Sequence, residues 1–191
     1  STLFPYTTLF RSPYSVKAWS PDDAALQLTS YLLTGEKNAR LTQKLVYETE
    51  LASNVNSYPD HKRLDGDFGV IATARPGKTL AQLQDVMDAE IGRLAADGPT
   101  ARELEQAKNA LESRFLNAIE PVGAKADQLN DYYYAIGNPD GFQRDLDRLR
   151  AVTAADVQRV VKQYLTGPRV QVSVVPQGKT DLAAKARGVT P

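Results

Sequence analysis

The chain has 191 residues, 42% of them hydrophobic and 24% charged, enough for one domain with a sizeable core. Lys plus Arg and Asp plus Glu balance at 23 each, so charge gives no basis for a nucleic-acid partner or an anionic membrane surface. The absence of cysteine excludes disulfides and thiolate chemistry, and no apolar run approaches the about 18 residues of a membrane-spanning helix.

Residues Thr2–Ser12, TLFPYTTLFRS, show no helical period and no capping logic. The string resembles the in-frame translation of a widely used sequencing-adapter oligonucleotide. Residues 1–12 are therefore expected to be an artefact rather than native, to lack evolved partners, and to be removable without loss of stability. Native sequence is expected from near Pro13.

Tyr14–Trp19 alternates weakly and predicts a strand. Ser20, Pro21, Asp22 and Asp23 then supply an N-cap, a first-turn proline and acidic residues for a helix reaching about Leu33, with Ala25, Leu28 and Leu32 on one face. Gly35 suits a left-handed helix end, and Asn38 suits the cap of a second helix carrying Leu41 and Leu45. After Glu50 the pattern alternates, predicting a strand to about Tyr58, a polar turn over Pro59–Gly66, and a hairpin partner over Asp67–Arg75 ended by Pro76-Gly77.

Thr79 predicts the cap of a long helix bearing Leu80, Leu83, Met87, Ile91 and Leu94, stopped by Gly98-Pro99. Thr100 with Glu103 forms a capping box for the next helix, with Leu104, Leu111 and Phe115 inward. Pro121 and Gly123 precede a helix with Leu129, Tyr132, Tyr133 and Ile136; Gly137–Gly141 is a turn. A short helix with Phe142, Leu146 and Leu149 follows, then a capping box at Thr153 and Asp156 and a helix packing Val157, Val160, Val161 and Tyr164. Arg169–Val175 predicts the last strand, and 177–191 a linker or truncated end. This order gives an α+β fold, an antiparallel sheet covered by helices.

Five stretches in this order carry a resemblance: LLTGEKNARL (Leu32–Leu41), ATARPGKTLAQL (Ala72–Leu83), GPTARELEQAKNALESRF (Gly98–Phe115), AKADQLNDYYYAIGNPD (Ala124–Asp140) and VTAADVQRVVKQYL (Val152–Leu165). Together they resemble the C-terminal, non-catalytic half-domains of the M16 (insulinase/pitrilysin-like) metallopeptidases, over roughly Tyr14–Pro176. The resemblance implies a LuxS/MPP-like metallohydrolase-type half-domain over 13–176. It also implies a parent zinc metalloendopeptidase whose halves close as a clamshell around peptides.

Catalytic domains of that family carry HxxEH and a distal Glu, which place two histidines one helical turn apart on zinc. Here the single histidine is His61, beside Asp60, Asp65 and Asp67, and it reads as a solvated turn residue. No catalytic residue and no metal ligand is expected in this chain, and zinc is expected in a catalytic half. Some relatives place an Arg and a Tyr seven residues apart to hold substrate; Val46 and Ser53 stand at those positions and can play neither part. The Thr34–Asn38 loop lies where the non-catalytic subunit of mitochondrial processing peptidase has a long glycine-rich substrate loop. With five residues and one glycine it reads as a plain helix–helix connection.

Tyr132, Tyr133 and Tyr134 cannot all face inward, because successive helical residues point about 100° apart. With Phe142 they are candidates for a substrate or domain interface, packing between domains being preferred. The function expected is a non-catalytic structural half-domain forming part of a peptide-enclosing chamber. Its partners would be a catalytic M16 half-domain, in the same chain or a partner subunit, and peptide substrates; neither nucleic acid nor membrane insertion is expected. The alternatives are a structural or assembly core subunit of the same fold without peptidase activity, and a free-standing peptide-binding module. An extracytoplasmic, periplasmic location is implied by the resemblance alone.

Overall fold

Alternating burial along the strands builds one antiparallel sheet: β1 (Thr8–Ser15), β2 (Ala52–His61), β3 (Gly66–Ala74) and β4 (Arg169–Val174), in the order β2-β3-β1-β4. The computed structural model describes residues 7–61 and 64–184. Phe68, Val70, Ala72 and Ala74 of β3, with Leu9 of β1 and Val55 of β2, turn one face of the sheet into the core.

Helices α1 (Asp23–Thr34), α3 (Leu80–Asp97) and α7 (Ala154–Val160, continuing as a π-helical turn to Leu165) pack on that core. The short α2 (Arg40–Thr42) likewise runs on as a π-helical turn to Glu48 and buries Leu41 and Leu45. The expected leucine, methionine and isoleucine stripe of α3 is buried throughout. Helices α4 (Ala101–Ala118), α5 (Val122–Ile136) and α6 (Phe142–Ala151) complete the α+β fold. All three capping boxes form: Thr79 with Gln82, Thr100 with Glu103 and Thr153 with Asp156.

Two of the resembling stretches meet physically. Arg40 forms a two-pronged ion pair with Glu103, both contacts at 2.9 Å, and also donates to Gly98 O at 3.1 Å. Glu103 accepts from the Thr100 N–H as well, and its carboxyl is held at about 2 because these bonds outweigh the burial that opposes its charge. The Arg40 guanidinium thus locks α2 to the start of α4, a role lysine could not reproduce in the same geometry.

Several local expectations need correction. The strand expected at Tyr14–Trp19 is Thr8–Ser15, and its residues 8–12 pair with β3 on one side and β4 on the other. Helix α1 begins at Asp23, with Asp22 rather than Ser20 at the cap and no side-chain cap bond. Gly35 has φ −63°, so no left-handed conformation calls for glycine. Close approach does: a Cβ there would lie 2.4 Å from the Tyr31 ring. Ala39, not Asn38, precedes α2. Strand β2 runs through Pro59 to His61, into the expected turn. Leu129 of the third long helix, α5, is exposed. Residues 177–184 turn back through Thr180–Leu182, and Ala184 N donates to Ser173 Oγ at 3.2 Å.

Strand β1 carries an oddity at Arg11. Its side chain occupies an inward position between Leu9 and Pro13, where alternation would favour an apolar residue. It contacts Asp88 at 2.6 Å and Leu165 O, while Arg169 already pairs with the same carboxylate at 3.1 Å. Burial, then the charge of Arg169, pulls the Arg11 pKa down to about 10 against the opposing pull of Asp88. Because Asp88 is only part-buried and keeps Arg169, Arg11→Val leaves no buried carboxylate unpaired while relieving the cost of burying the guanidinium, and should stabilise the fold by about 1 kcal/mol. A thermal melt should show a rise of roughly 2–4 °C. A fall would mean that the Arg11 bonds outweigh the cost of burying it.

Candidate functional site

Helix α5 projects most of its surface to solvent; only Tyr132 is buried along it. The Tyr132 ring meets Trp19 edge-on at 5.6 Å, and its hydroxyl contacts Asp145 Oδ2 at 3.3 Å. Gly141 makes room for it: a Cβ there would come within 2.7 Å of the ring. Burial first, then the charge of Asp145, pushes the Tyr132 phenol up. Tyr133 and Tyr134 are each 65% exposed. Phe142 instead stacks on Phe115 at 4.8 Å between α6 and α4. The four candidates therefore separate into an anchor, a helix–helix contact and two surface rings.

Beside α5 lies a cleft of about 850 Å³ lined by Trp19, His61, Leu64, Tyr132, Tyr134 and Asp145, among others. A buried charge network forms its base. Asp23 accepts from Trp19 N at 2.7 Å, Gln27 Nε2 at 2.8 Å and Arg148 at 3.1 Å, and lies 2.9 Å from His61 Nε2. Burial works against its charge, but His61, Gln27 and Trp19 overcome this and hold the carboxyl well below the ordinary range. Asp145, bound by Arg148 at 3.3 Å, is pushed up chiefly by burial. The Trp19 backbone has φ 63°, a strained conformation for a bulky residue. Arg148 lies 4.5 Å and Arg144 5.5 Å from its ring centroid.

The sequence reading missed this network because its members come from four separate segments. The one usable signal was a lone histidine downstream of the Asp22-Asp23 pair. His61, expected as a solvated turn residue, is the last residue of β2 and largely buried.

Neither ring nitrogen of His61 is available to a metal: Nδ1 lies 3.0 Å from Val16 O and Nε2 faces Asp23. The described residues contain no group of three or more His, Cys, Asp or Glu that could hold one. The zinc implied by the family resemblance was expected in a catalytic half rather than among these residues. Val46 is partly buried and its carbonyl accepts from Arg75, while Ser53 is exposed and bonds to Thr73 O. These two do not form a substrate clamp.

A second surface lies on the sheet face turned away from the core. Val170, Val172 and Val174 of β4 are 63%, 46% and 56% exposed, and Phe10 pairs in register between Val172 and Ile71. Tyr14 extends the stripe.

Residues 14–111 match the family model described as the peptidase M16 inactive domain. The chain belongs to the M16 peptidase family. It is 23% identical over 147 residues to the uncharacterized zinc protease YmxG of Bacillus subtilis, covering 77% of this chain and 36% of that protein. It is 32% identical over 116 residues to the mitochondrial-processing peptidase subunit alpha of Neurospora crassa, covering 59% of this chain and 19% of that subunit. A protease from Helicobacter pylori shares the fold with a TM-score of 0.83 at 22% identity, over 91% of this chain and 42% of that one. The M16 chain described here thus spans well under half the length of these relatives.

Proposed function

We propose that this M16 inactive domain is the non-catalytic half of a zinc metalloendopeptidase, closing with a catalytic half to form a chamber around peptide substrates. The observation that carries this reading is the match of residues 14–111 to the peptidase M16 inactive-domain family model. In this role the chain contributes wall and docking surface, while zinc and the hydrolytic groups belong to the catalytic half. An extracytoplasmic location accompanies this reading.

The exposed rings of α5 and the valine stripe of β4 are the surfaces proposed to meet the catalytic half and the enclosed peptide. Apolar patches larger than a few hundred Å² are uncommon on soluble monomers and usually mark contact surfaces. Balanced charge predicts that this docking depends only weakly on salt. The isolated chain is expected to bind a hydrophobic dye, and Tyr133→Ser with Tyr134→Ser, or Val172→Thr with Val174→Thr, should reduce the signal. A dye-silent monomer would instead favour a free-standing module. After dialysis the chain should retain well below one zinc per molecule. Stoichiometric zinc, lost in His61→Ala, would contradict the assignment.

A further inference from the structure

We infer that His61 is a pH-sensitive pin between the β2–β3 hairpin and the start of α1, and that its proton controls how Trp19 is held at the cleft. The placement of two oxygens against the ring favours its charged form. A neutral imidazole offers one N–H and one lone pair, whereas the imidazolium offers two N–H groups. Nδ1 of His61 faces the Val16 carbonyl at 3.0 Å, and Nε2 lies 2.9 Å from Asp23 Oδ1, a close ion-pair contact rather than an aligned hydrogen bond. Both partners accept and neither donates. Removing the proton would turn one nitrogen lone pair against an oxygen in a site that little water reaches.

The same carboxylate transmits the effect. Asp23 Oδ2 takes the Trp19 N–H at 2.7 Å, and this bond secures the strained φ of 63°. When His61 loses its charge, Asp23 keeps Arg148 as its only cationic partner among the contacts described above, and its grip on the Trp19 backbone is redistributed. His61, Leu64 and Trp19 all line the cleft, so releasing the pin alters the wall formed by the hairpin end.

The surroundings set the direction of the titration. Asp23 faces the ring from α1, and Asp60 lies beside it on β2. Arg148 and Asp145 of α6 act through Asp23, while Lys17, and Asp131, Tyr132 and Tyr134 of α5, face it across the cleft. Burial opposes the charge, but the Asp23 bond and charge outweigh it, so the His61 pKa is raised above its ordinary value. The pin is therefore fully closed below about 6.5, the unfolded value, and opens as pH rises through the higher folded value. This inference is independent of what docks on the domain, and it goes beyond the chamber-wall reading.

The protein carries one histidine and one tryptophan, so both ends of the pin can be read without ambiguity. In the full chain, the His61 ring-proton resonance and Trp19 emission should be followed together from about pH 5.5 to about pH 9. The expected result is a His61 midpoint above 6.5, with Trp19 emission changing at the same midpoint. His61→Gln should abolish that emission change while the domain stays folded. A midpoint at or below the ordinary value would overturn the assignment of a charged ring. Emission that stays flat across a raised midpoint, or that still titrates in His61→Gln, would overturn the coupling to Trp19.

Discussion

Deleting residues 1–12 should abolish cooperative unfolding of this domain. Residues 8–12 are the part of β1 that pairs with β4 from Thr8↔Val174 to Ser12↔Val170, and with β3 from Thr8↔Thr73 to Arg11↔Val70. Their loss strands β4, removes Leu9 from the core, and opens a long edge on β3. Leu9 alone is worth about 1.5–3 kcal/mol by burial. Each lost ladder bond adds about 0.5–1.5 kcal/mol. Against a total stability of about 5–15 kcal/mol, this is most of what holds the domain. A thermal melt of the shortened chain should show a broad, weak transition or none. A sharp transition within a few degrees of the full chain would mean that the sheet closes without residues 8–12, as the resemblance of TLFPYTTLFRS to an adapter translation implies.

Local signals and long-range pairing were not equally legible in the sequence. The helices were legible because their signals are local: Thr79, Thr100 and Thr153 cap where expected, and the α3 stripe repeats at three and four. Strand β1 was not, because TLFRSPYS puts Arg11 and Ser15 inward and so breaks the alternation that announces a strand. Its place is set by two long-range ladders. The tyrosine run illustrates the same limit. Helical geometry says that the three rings diverge, but which one is the anchor depends on Trp19, Gly141 and Asp145, remote or loop residues with no sequence period in common. The charge network at Asp23 was invisible for the same reason, since Asp22-Asp23 looks like an ordinary acidic first turn. Valines of β4 could face either way; their exposure follows from the register with β1.

Asp23→Ala is expected to be the most damaging single substitution outside the apolar core. It removes the carboxylate shared by His61, Arg148, Gln27 and the Trp19 N–H, leaving the His61 imidazolium without a carboxylate on Nε2 and Arg148 with Asp145 alone. Breaking a buried pair from one side costs about 3–5 kcal/mol. For a domain of this size that is a fall of roughly 6–20 °C in melting temperature. The pH dependence has a defined sign. The carboxyl pKa is depressed on folding, so its contribution is present above its ordinary value of 3.8 and is lost as pH falls through the lower folded value. The difference between Asp23→Ala and the parent should also shrink at pH above the raised His61 midpoint, where the imidazolium charge has gone. Melts at several pH values test both. A loss below about 1 kcal/mol, or one that does not vary with pH, would mean that the network is solvated rather than buried.

The central claim, that this M16 inactive domain completes a catalytic half, is tested most directly by reconstitution. The chain is mixed with a catalytic M16 half carrying HxxEH from the same parent, and cleavage of an unstructured fluorogenic peptide is followed with and without a zinc chelator. The account predicts that this chain alone is inactive and that the mixture gains chelator-sensitive cleavage well above that of the catalytic half alone. That gain should be weakened by Tyr133→Ser with Tyr134→Ser or by Val172→Thr with Val174→Thr. A catalytic half that is equally active with or without this chain would contradict the account.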